Sequence, residues 1–347
     1  MDTQDVGQRF ARAVAGFGAG APLILAHNDA DGLSSGALLH RALERAGRQP
    51  DIRVLGRGEN PWSAEMAAEL ARRSPSGLLV ADLGLRAGAV LPGTPTVVID
   101  HHVATGDAGR ATLISGDGTD PTPTSSLLSW WCAAGLGAAD DLLWLAAIGI
   151  IGDLGDKAPF PALADARKRY GATALREAVS LLNAPRRAGQ GDAGPALALL
   201  LKANGPRAVI SGEHAETALL VAAREEVKQA LEVGRRVPPK VRDPVALIRL
   251  HSPCQIHPLV AQSWKARLKG NIVMAANTGY RPGWVHFALR SATGQDLIAF
   301  LRDHAPDGAD ENYGNGHRQA TGGALRLPVW NAFVTKLGFG PEMQVTP

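Results

Sequence analysis

The sequence predicts an α/β protein whose larger, N-terminal part is a doubly wound parallel sheet with helices on both faces. Short apolar runs alternate with segments whose apolar residues repeat at helical spacing. The runs are apolar on both sides of the strand, which is typical of parallel strands buried between two helical layers. The length of 347 residues favours about two domains of roughly 150 residues each.

The elements of this first domain, which we place at residues 1–185, follow one another in strand and helix order. The predicted strands are Pro22–His27, Asp51–Gly56, Gly77–Asp82 and Thr96–Asp100. The predicted helices are Leu33–Ala46, Ala64–Arg73, Leu127–Gly135 and Asp141–Gly152.

Beyond Asp156 the pattern becomes helical, and a second, smaller α/β unit begins near residue 241. We predict a helical linker over residues 186–240, containing a long helix at Ala215–Gly234 that ends before two prolines. In the domain at 241–347, strands are expected at 245–250, 271–277, 284–290 and, after a Gly-rich loop, 324–329; helices are expected at 256–268 and 294–303.

Composition limits the classes of protein that the chain can be. Its 45% hydrophobic residues exclude a largely disordered chain, and no apolar stretch is long enough to span a bilayer. Early acids and no apolar segment of signal-peptide type favour a cytoplasmic protein with no membrane partner. The net charge of +3 is compatible with an anionic substrate, and two cysteines make neither a disulfide framework nor a thiolate zinc site.

Four clusters of acidic and imidazole residues carry the chemistry, and we assign them to the carboxyl ends of strands. They are His27-Asn28-Asp29-Ala30-Asp31-Gly32 after the first strand, Asp82 after the third, Asp100-His101-His102 after the fourth, and Asp153 at the end of the apolar segment 142–152. In open parallel sheets, ligands bind in the crevice beyond these strand ends.

The crevice predicted here holds several carboxylates with no basic residue expected beside them. Such a group repels itself unless cations lie among its members. Carboxylate and imidazole without thiolate favour Mn²⁺, with Mg²⁺, Co²⁺ or Zn²⁺ less favoured. A pair of such ions about 3.5–4 Å apart suits phosphoester hydrolysis. Each cluster alone is compatible with a helix cap or a turn; the four together favour metal binding.

These residues resemble the motifs of the DHH phosphoesterase superfamily, in the subgroup with a C-terminal DHHA1 domain. Asp100-His101-His102 matches the triplet that names the family, and His27-x-Asp29-x-Asp31-Gly32 is similar to its first motif. Asp82 and Gly152-Asp153 are similar to its second and fourth. The Asp-Gly ending resembles RecJ-like nucleases, whereas nano-RNases and cyclic-dinucleotide phosphodiesterases more often carry Asn-Pro-Asp.

The resemblance implies a role for each of these residues. One metal ion is held by His27, Asp29 and Asp82, and the other by Asp31, Asp82, His101 and Asp153, with Asp82 bridging. Asp100 does not bind metal itself but orients an imidazole through a hydrogen bond. His102 faces the scissile phosphate, as a hydrogen-bond donor or as an acid to the leaving group.

The second domain is expected to bind substrate. Arg290 and Ser291 end a predicted strand, and a guanidinium can grip a phosphate through two hydrogen bonds. Gly314, Gly316 and Gly322 permit close backbone approach to an anion, and His317 adds a donor. The segment resembles the DHHA1 glycine–histidine loop, with Asn315 where the family has glycine. The family implies that this domain faces the metal site across a cleft.

The leading hypothesis is a phosphodiesterase with two Mn²⁺ ions that removes nucleotides from the ends of single-stranded DNA or RNA or short oligonucleotides, of exonuclease or nano-RNase type. The absence of length for an added OB-type module favours short substrates. Small nucleotides (3′-phosphoadenosine 5′-phosphate, linear or cyclic dinucleotides) and hydrolysis of pyrophosphate or polyphosphate are the alternatives, and a non-catalytic scaffold is a third possibility. Homodimers are common among relatives of this size. The basic pair Arg186-Arg187 is interpreted as a solvated face or as part of a nucleic-acid groove.

Overall fold

The computed structural model describes residues 1–310 and 313–346, which form two compact units. Unit 1 contains Met1–Arg186 and Asp192–Val221, and unit 2 contains Arg187–Gly191 and Ala222–Pro347. The stretch predicted as a linker is therefore divided between the two units. Among the described residues, no helix combines the length and apolar character needed to cross a membrane.

Unit 1 is built on a five-stranded sheet in which every strand pairing is parallel. The strand order is β2-β1-β3-β4-β5. Its strands are β1 (Leu23–Ala26), β2 (Asp51–Val54), β3 (Leu78–Ala81), β4 (Thr96–Asp100) and β5 (Thr112–Ser115). The chain runs from β1 outward to β2 and then returns to the other side of β1 to form β3, so the order reverses between β1 and β3.

Both faces of this sheet are covered, as the two-sided apolar strands predict. The first helices of the unit are α1 (Thr3–Ala15), α2 (Ala30–Arg45), α3 (Ala64–Arg73) and α4 (Ser125–Ala134). On one face, α1, α2 and α4 bury side chains such as Phe10, Leu39 and Leu128 against strand residues that include Ile24. On the other face, α3 packs through Met66 and Leu70. The doubly wound α/β fold predicted from the sequence is confirmed.

A bundle of further helices packs behind α2. These are α5 (Leu143–Leu154), α6 (Pro161–Tyr170), α7 (Ala172–Leu182), α8 (Ala184–Arg187), α9 (Gly194–Lys202) and α10 (Pro206–Ile210). Helix α5 is fully buried along most of its length, with Trp144 at its start. The assignment of Asp153 to a strand end is wrong: it lies in the last turn of α5. The helix predicted at Asp141–Gly152 is present as α5, and Asp153 belongs to the end of that helix.

Unit 2 is built on a six-stranded mixed sheet with the order β10-β11-β9-β8-β7-β6. Only β7 and β8 pair in parallel; the other neighbours are antiparallel. The strands are β6 (Lys240–Arg242), β7 (Val245–Leu250), β8 (Ile272–Arg281), β9 (Trp284–Ser291), β10 (Tyr313–His317) and β11 (Ala320–Arg326).

Helices cover both faces of the second sheet. They are α11 (Ala215–Gly234), α12 (His257–Lys265), α13 (Leu297–Asp303) and α14 (Leu327–Lys336). Helices α13 and α14 pack on one face around Trp330 and Phe333, and α11 and α12 pack on the other around Val260.

The sequence prediction is wrong at two places in unit 2. The strand expected at 324–329 ends at Arg326, and the next residue begins α14, whose first turn accepts Pro328 because the amide of that position has no helical partner. The expected Gly-rich loop is instead a β-hairpin: Gly314 and Gly316 lie in β10, and Gly322 lies in β11.

Candidate metal centre

The residues of the first, second and third sequence clusters meet where the strand order reverses, at the carboxyl ends of β1, β3 and β4. His27 and Asp29 follow β1, Asp82 follows β3, and His101 follows β4. Since β3 pairs with both β1 and β4, these ends lie side by side. The topology therefore collects side chains that are far apart along the chain.

Asp29 has two functions at the end of β1. Its Oδ1 accepts a hydrogen bond of 3.1 Å from the Gly32 amide and so caps helix α2, while its Oδ2 lies 3.1 Å from His27 Nδ1. Gly32 is required at this turn, because a Cβ there would lie 2.5 Å from the His27 Cβ. The cap interpretation and the ligand interpretation of this motif are thus compatible.

Asp31 is held by the N-terminus of helix α4. The amides of Ser125 and Ser126 each donate to one of its oxygens at 2.9 Å. Helix α5 comes close behind it because residue 149 is glycine; a Cβ there would lie 2.3 Å from Asp31 Oδ1. That approach also brings Asp153, in the last turn of α5, to the same site.

The two oxygens of Asp82 face different imidazoles. Oδ2 lies 3.6 Å from His27 Nδ1, and Oδ1 lies 3.5 Å from His101 Nε2 and accepts a hydrogen bond of 2.9 Å from Ser125 Oγ. The residue has φ +63°, a left-handed conformation that aspartate tolerates better than most side chains. Its buried carboxylate is placed as a bridge between two groups of ligand atoms.

His101 is the centre of the second group. Its Nε2 lies 3.8 Å from Asp31 Oδ2 and 3.7 Å from Asp153 Oδ2, in addition to the Asp82 contact. Within the described part of the chain, this buried nitrogen makes no hydrogen bond of good geometry, and neither does Nδ1 of His27. Both imidazoles thus turn a nitrogen toward carboxylates without hydrogen-bonding to them.

Asp100 and His102 form a separate pair beside this cluster. Asp100 is buried, and its Oδ1 lies 3.0 Å from His102 Nδ1 and accepts from the His102 amide at 2.7 Å. Its Oδ2 accepts from the Gly84 amide at 2.7 Å, which fixes the carboxylate. The side chain of His102 is 42% exposed, so this imidazole is accessible while its partner is not.

One expectation about the charges is corrected. Arg186, in helix α8, places its Nη1 3.5 Å from Asp29 Oδ2, so a basic residue does lie beside the acids. Asn183, just before α8, accepts a hydrogen bond of 3.1 Å from the Ala30 amide and ties this region to the start of α2. A single guanidinium does not neutralise the cluster, because among the described residues Arg186 forms an ion pair with the Asp29 carboxylate alone.

The electrostatics of the cluster favour bound cations. Burial would lower the pKa of His27, but Asp29 and Asp82 outweigh it and raise that pKa to about 10. Burial would likewise lower the pKa of His101, which Asp82, Asp31 and Asp153 raise to about 10. Burial and the charge of Asp82 hold the pKa of Asp31 well above its usual range. Without metal ions, the cluster therefore holds protons on His27, His101 and Asp31 that offset the negative charge of its carboxylates. Divalent ions would neutralise that charge more effectively, and the set of carboxylate and imidazole ligands fits such ions.

Two ligand groups follow from the distances. Ligand atoms of His27, Asp29 and Asp82 lie within 4.8 Å of one another, as do those of Asp82, His101 and His102. The predicted set for the first ion is present as one cluster. For the second ion, the structure brings His101 to Asp31, Asp82 and Asp153 and places His102 within the same reach of Asp82.

The residues predicted to bind substrate lie in unit 2. Arg290, in β9, is half-buried, which lowers the pKa of its guanidinium, and it is hydrogen-bonded at 2.8 Å to the Leu289 carbonyl. Ser291 is buried with its Oγ 2.9 Å from Thr293 Oγ1. Gly322 is required where β11 approaches β9, since a Cβ would lie 2.3 Å from the Phe287 carbonyl oxygen. The backbone of His317 pairs with Ala320, and its side chain lies outside the described part.

Sequence reasoning missed the residues that orient the candidate metal ligands. Ser125 and Ser126 orient Asp82 and Asp31, and Thr124 caps the helix that carries them. A Thr directly before an apolar helical segment is a recognisable helix start, so this cap was detectable. The proximity of Arg186 to Asp29 had no comparable signal, because nothing in the local sequence shows where α8 packs.

Comparisons place the fold among known structures. No protein-family model and no curated sequence matches the chain. RecJ from Thermus thermophilus in complex with Mn²⁺ superposes with a TM-score of 0.73 at 17% identity, over 96% of this chain and 54% of that one. An exonuclease RecJ bound to manganese gives 0.71 at 19% identity, over 97% and 93%. The DHH domain of a member of a family of ribosomal proteins gives 0.64 at 15% identity, over 99% and 93%.

These likenesses concern the fold. The chain spans about half the length of the Thermus protein and nearly all of the second RecJ structure. The resemblance drawn from the sequence motifs is confirmed at the level of architecture, since both units are covered in each superposition. The chain has the two-domain α/β fold of RecJ and the DHH-domain proteins.

Proposed function

We propose that the protein is a metal-dependent phosphodiesterase with a dinuclear centre, preferring Mn²⁺, that hydrolyses terminal phosphodiester bonds of single-stranded or short oligonucleotides. The observation that carries this proposal is the Asp82 carboxylate, which presents one oxygen to His27 and the other to His101. A carboxylate in this position would supply one oxygen to each of two ions. The two RecJ structures that share the fold are described with bound manganese.

The residues divide into two ligand sets and one acid–base pair. His27 and Asp29 complete the set on one side of Asp82, and Asp31, His101 and Asp153 complete the other. Two divalent ions held in this way would acidify a water molecule and neutralise charge on the phosphate oxygens. Ser125 and the amides at the start of α4 keep the carboxylates oriented, as partners behind metal ligands commonly do.

His102 is the group assigned to the leaving oxygen. It is the exposed imidazole of the site, and its hydrogen bond with Asp100, opposed by burial, raises its pKa. A raised pKa extends the protonated form of the imidazole to higher pH, and the protonated form is the state that an acid or a hydrogen-bond donor to a leaving oxygen requires. Asp100 positions the ring and is itself fixed by the Gly84 amide.

Unit 2 supplies phosphate-binding groups in this proposal. Arg290 retains its charge although half-buried, and a guanidinium forms paired hydrogen bonds with phosphate. Gly314 and Gly316 lie in β10, which in the described part of the chain is the outermost strand of its sheet. The Gly-rich hairpin can therefore still offer amides to an anion.

The decisive experiment measures hydrolysis of a dinucleotide, a 5-mer and a 30-mer, of DNA and of RNA, with Mn²⁺ as the ion. We expect the short substrates to be cleaved fastest, from one end only, with Asp82→Asn inactive. Fastest and processive degradation of the 30-mer would show that the preference for short substrates is wrong. Cleavage of pyrophosphate or 3′-phosphoadenosine 5′-phosphate, with all oligonucleotides intact, would contradict the proposal.

A further inference from the structure

A row of three residues crosses unit 2 at the end of the sheet opposite Arg290. Trp284 begins β9, Arg281 ends β8 and Arg326 ends β11, and the strand register pairs Trp284 with both arginines. Directly opposed residues of antiparallel strands lie on the same face of a sheet. The row is therefore one surface feature, which we name the arginine–tryptophan row.

Both guanidiniums lie over the same indole. The Arg326 guanidinium carbon is 4.2 Å from the Trp284 ring centroid, and that of Arg281 is 5.1 Å from it. Each distance is within the range of a cation–π contact. The indole is 7% exposed and buried beneath them, so the guanidiniums, and not the ring, are the groups offered to a ligand.

Local structure fixes this arrangement. Pro282 and Gly283 form the two-residue turn between β8 and β9, with Gly283 at φ +77°, which places Arg281 directly beside Trp284. In the described part of the chain, neither Arg281 nor Arg326 forms an ion pair with a carboxylate. Two like charges held together by one ring repel each other, and an anion that bound both would relieve that repulsion.

The row shares its sheet face with Arg290. Every second residue of a strand points to the same face. Trp284, His286, Ala288 and Arg290 therefore share one face of β9, with Trp284 and Arg290 at its two ends. They are six residue steps apart along the strand, which corresponds to about 20 Å. Helix α12 covers part of this face, with His257 against His286, so the route between the two ends follows the neighbouring strand β11, where Ala320, Gly322 and Ala324 lie on that face before Arg326.

We infer that the arginine–tryptophan row binds a second phosphate of a single-stranded nucleic acid whose other phosphate lies at Arg290. This inference rests on the proposed function and adds to it a site for longer substrates. A guanidinium stacked on an indole keeps its N–H edges free to hydrogen-bond to phosphate oxygens. The spacing of about 20 Å exceeds a dinucleotide, so only oligonucleotides of several residues reach both ends.

The test compares a dinucleotide with a hexanucleotide in the double variant Arg281→Gln/Arg326→Gln. We expect KM for the hexanucleotide to rise about tenfold, kcat to stay unchanged, and KM for the dinucleotide to stay unchanged. The salt slope of log(kcat/KM) for the hexanucleotide should fall by about 0.7, which corresponds to one phosphate contact on a single strand. Arg302→Gln is the matched control: it removes an exposed arginine of helix α13, which packs on the other face of the sheet.

The outcomes separate this inference from the function on which it rests. If the wild-type enzyme cleaves both substrates but the double variant matches Arg302→Gln, the row does not bind substrate and the inference is wrong. Equal losses on dinucleotide and hexanucleotide would also overturn it, because a general loss indicates a structural role. A hexaglutamate peptide that competes as well as a non-hydrolysable hexanucleotide would point to an acidic polypeptide instead. If the wild-type enzyme cleaves no phosphodiester, the proposed function fails and this inference with it.

Discussion

The two units place charged side chains at sheet ends in opposite ways. In unit 1, parallel strands send their carboxyl ends to one edge, where acids and imidazoles gather around Asp82. In unit 2, mostly antiparallel strands put arginines at both ends of one face. A parallel sheet concentrates functional residues at one place, whereas an antiparallel sheet distributes them along a line. The first arrangement suits a metal centre and the second suits an extended anion.

The largest effect is expected when Asp82, the residue shared by both candidate ligand groups, is replaced. Asp82→Asn should lower kcat at saturating Mn²⁺ by roughly a thousandfold, because loss of a carboxylate shared by both candidate ligand groups would weaken the binding of both proposed ions and remove several kcal/mol of charge stabilisation. The measurement is steady-state hydrolysis of a dinucleotide, with circular dichroism to show that the variant folds. Asp165→Asn removes an exposed acid of helix α6 and should leave the rate unchanged. Activity of the Asp82 variant within tenfold of wild type would exclude a bridging role.

The next effect concerns His102, which lies beside the ligands. His102→Asn should lower kcat about 100-fold while leaving the apparent Mn²⁺ affinity unchanged, as expected for loss of a general acid. Its pKa is raised by Asp100, and the acid must be protonated, so activity falls as pH rises through that pKa. Asp100→Asn lowers the pKa, and the alkaline limb of the kcat/KM profile should therefore move to lower pH. If the alkaline limb of the kcat/KM profile of Asp100→Asn stayed at the wild-type pH, His102 would not be the group whose titration sets that limb.

The contrast between the parallel sheet of unit 1 and the mostly antiparallel sheet of unit 2 also explains which residues could be predicted from the sequence. Asp29, Asp82 and His101 could be assigned because each closes a recognisable apolar strand, and parallel strands share an edge. Asp153 was assigned to a strand end although its segment was itself predicted to be helical; it reaches the site from the end of helix α5. Arg186 beside Asp29 could not be predicted, since packing of a distant helix decides it. In unit 2, the Pro282-Gly283 turn sets Arg281 beside Trp284 locally, but Arg326 joins the row only because β11 pairs with β9, which no local pattern reveals.

Metal binding should stabilise the two units unequally. The amides of Ser125 and Ser126 donate to Asp31, so they exchange with solvent only when the site opens. At Mn²⁺ concentrations 100 times Kd, their exchange should slow by about 100-fold, equivalent to about 2.7 kcal/mol. Hydrogen exchange read by mass spectrometry, with and without EDTA, measures this. Amides of β8 and β9 in unit 2 should be unaffected; equal protection there would show that the ion stabilises the whole chain.

The smallest effect that we expect lies in unit 2 and depends on pH. His257 begins helix α12 and is buried against Tyr280 and His286, with ring centroids 5.8 and 6.2 Å away. Burial, with the charges of His286, Arg187 and Arg290, lowers its pKa from 6.5 to about 3. In the unfolded chain His257 therefore binds a proton near pH 6.5, whereas in the folded chain it binds that proton only near pH 3. The stability that neutral His257 provides is complete above pH 6.5 and declines as pH falls below it.

Urea unfolding at pH 7.5 and pH 5 measures this contribution. Between those values the wild-type protein should lose about 2 kcal/mol more of its unfolding free energy than His257→Gln, in which no imidazole titrates. His251→Gln, which removes an exposed imidazole of the same unit, should keep the wild-type dependence. Parallel pH dependence in the wild type and His257→Gln would show that another group sets the acid sensitivity of unit 2. A larger loss of unfolding free energy in the wild type than in His257→Gln would show that the buried, neutral His257 makes unit 2 sensitive to acid. The acid-rich centre of unit 1 differs, because its neighbouring carboxylates raise the pKa of its imidazoles.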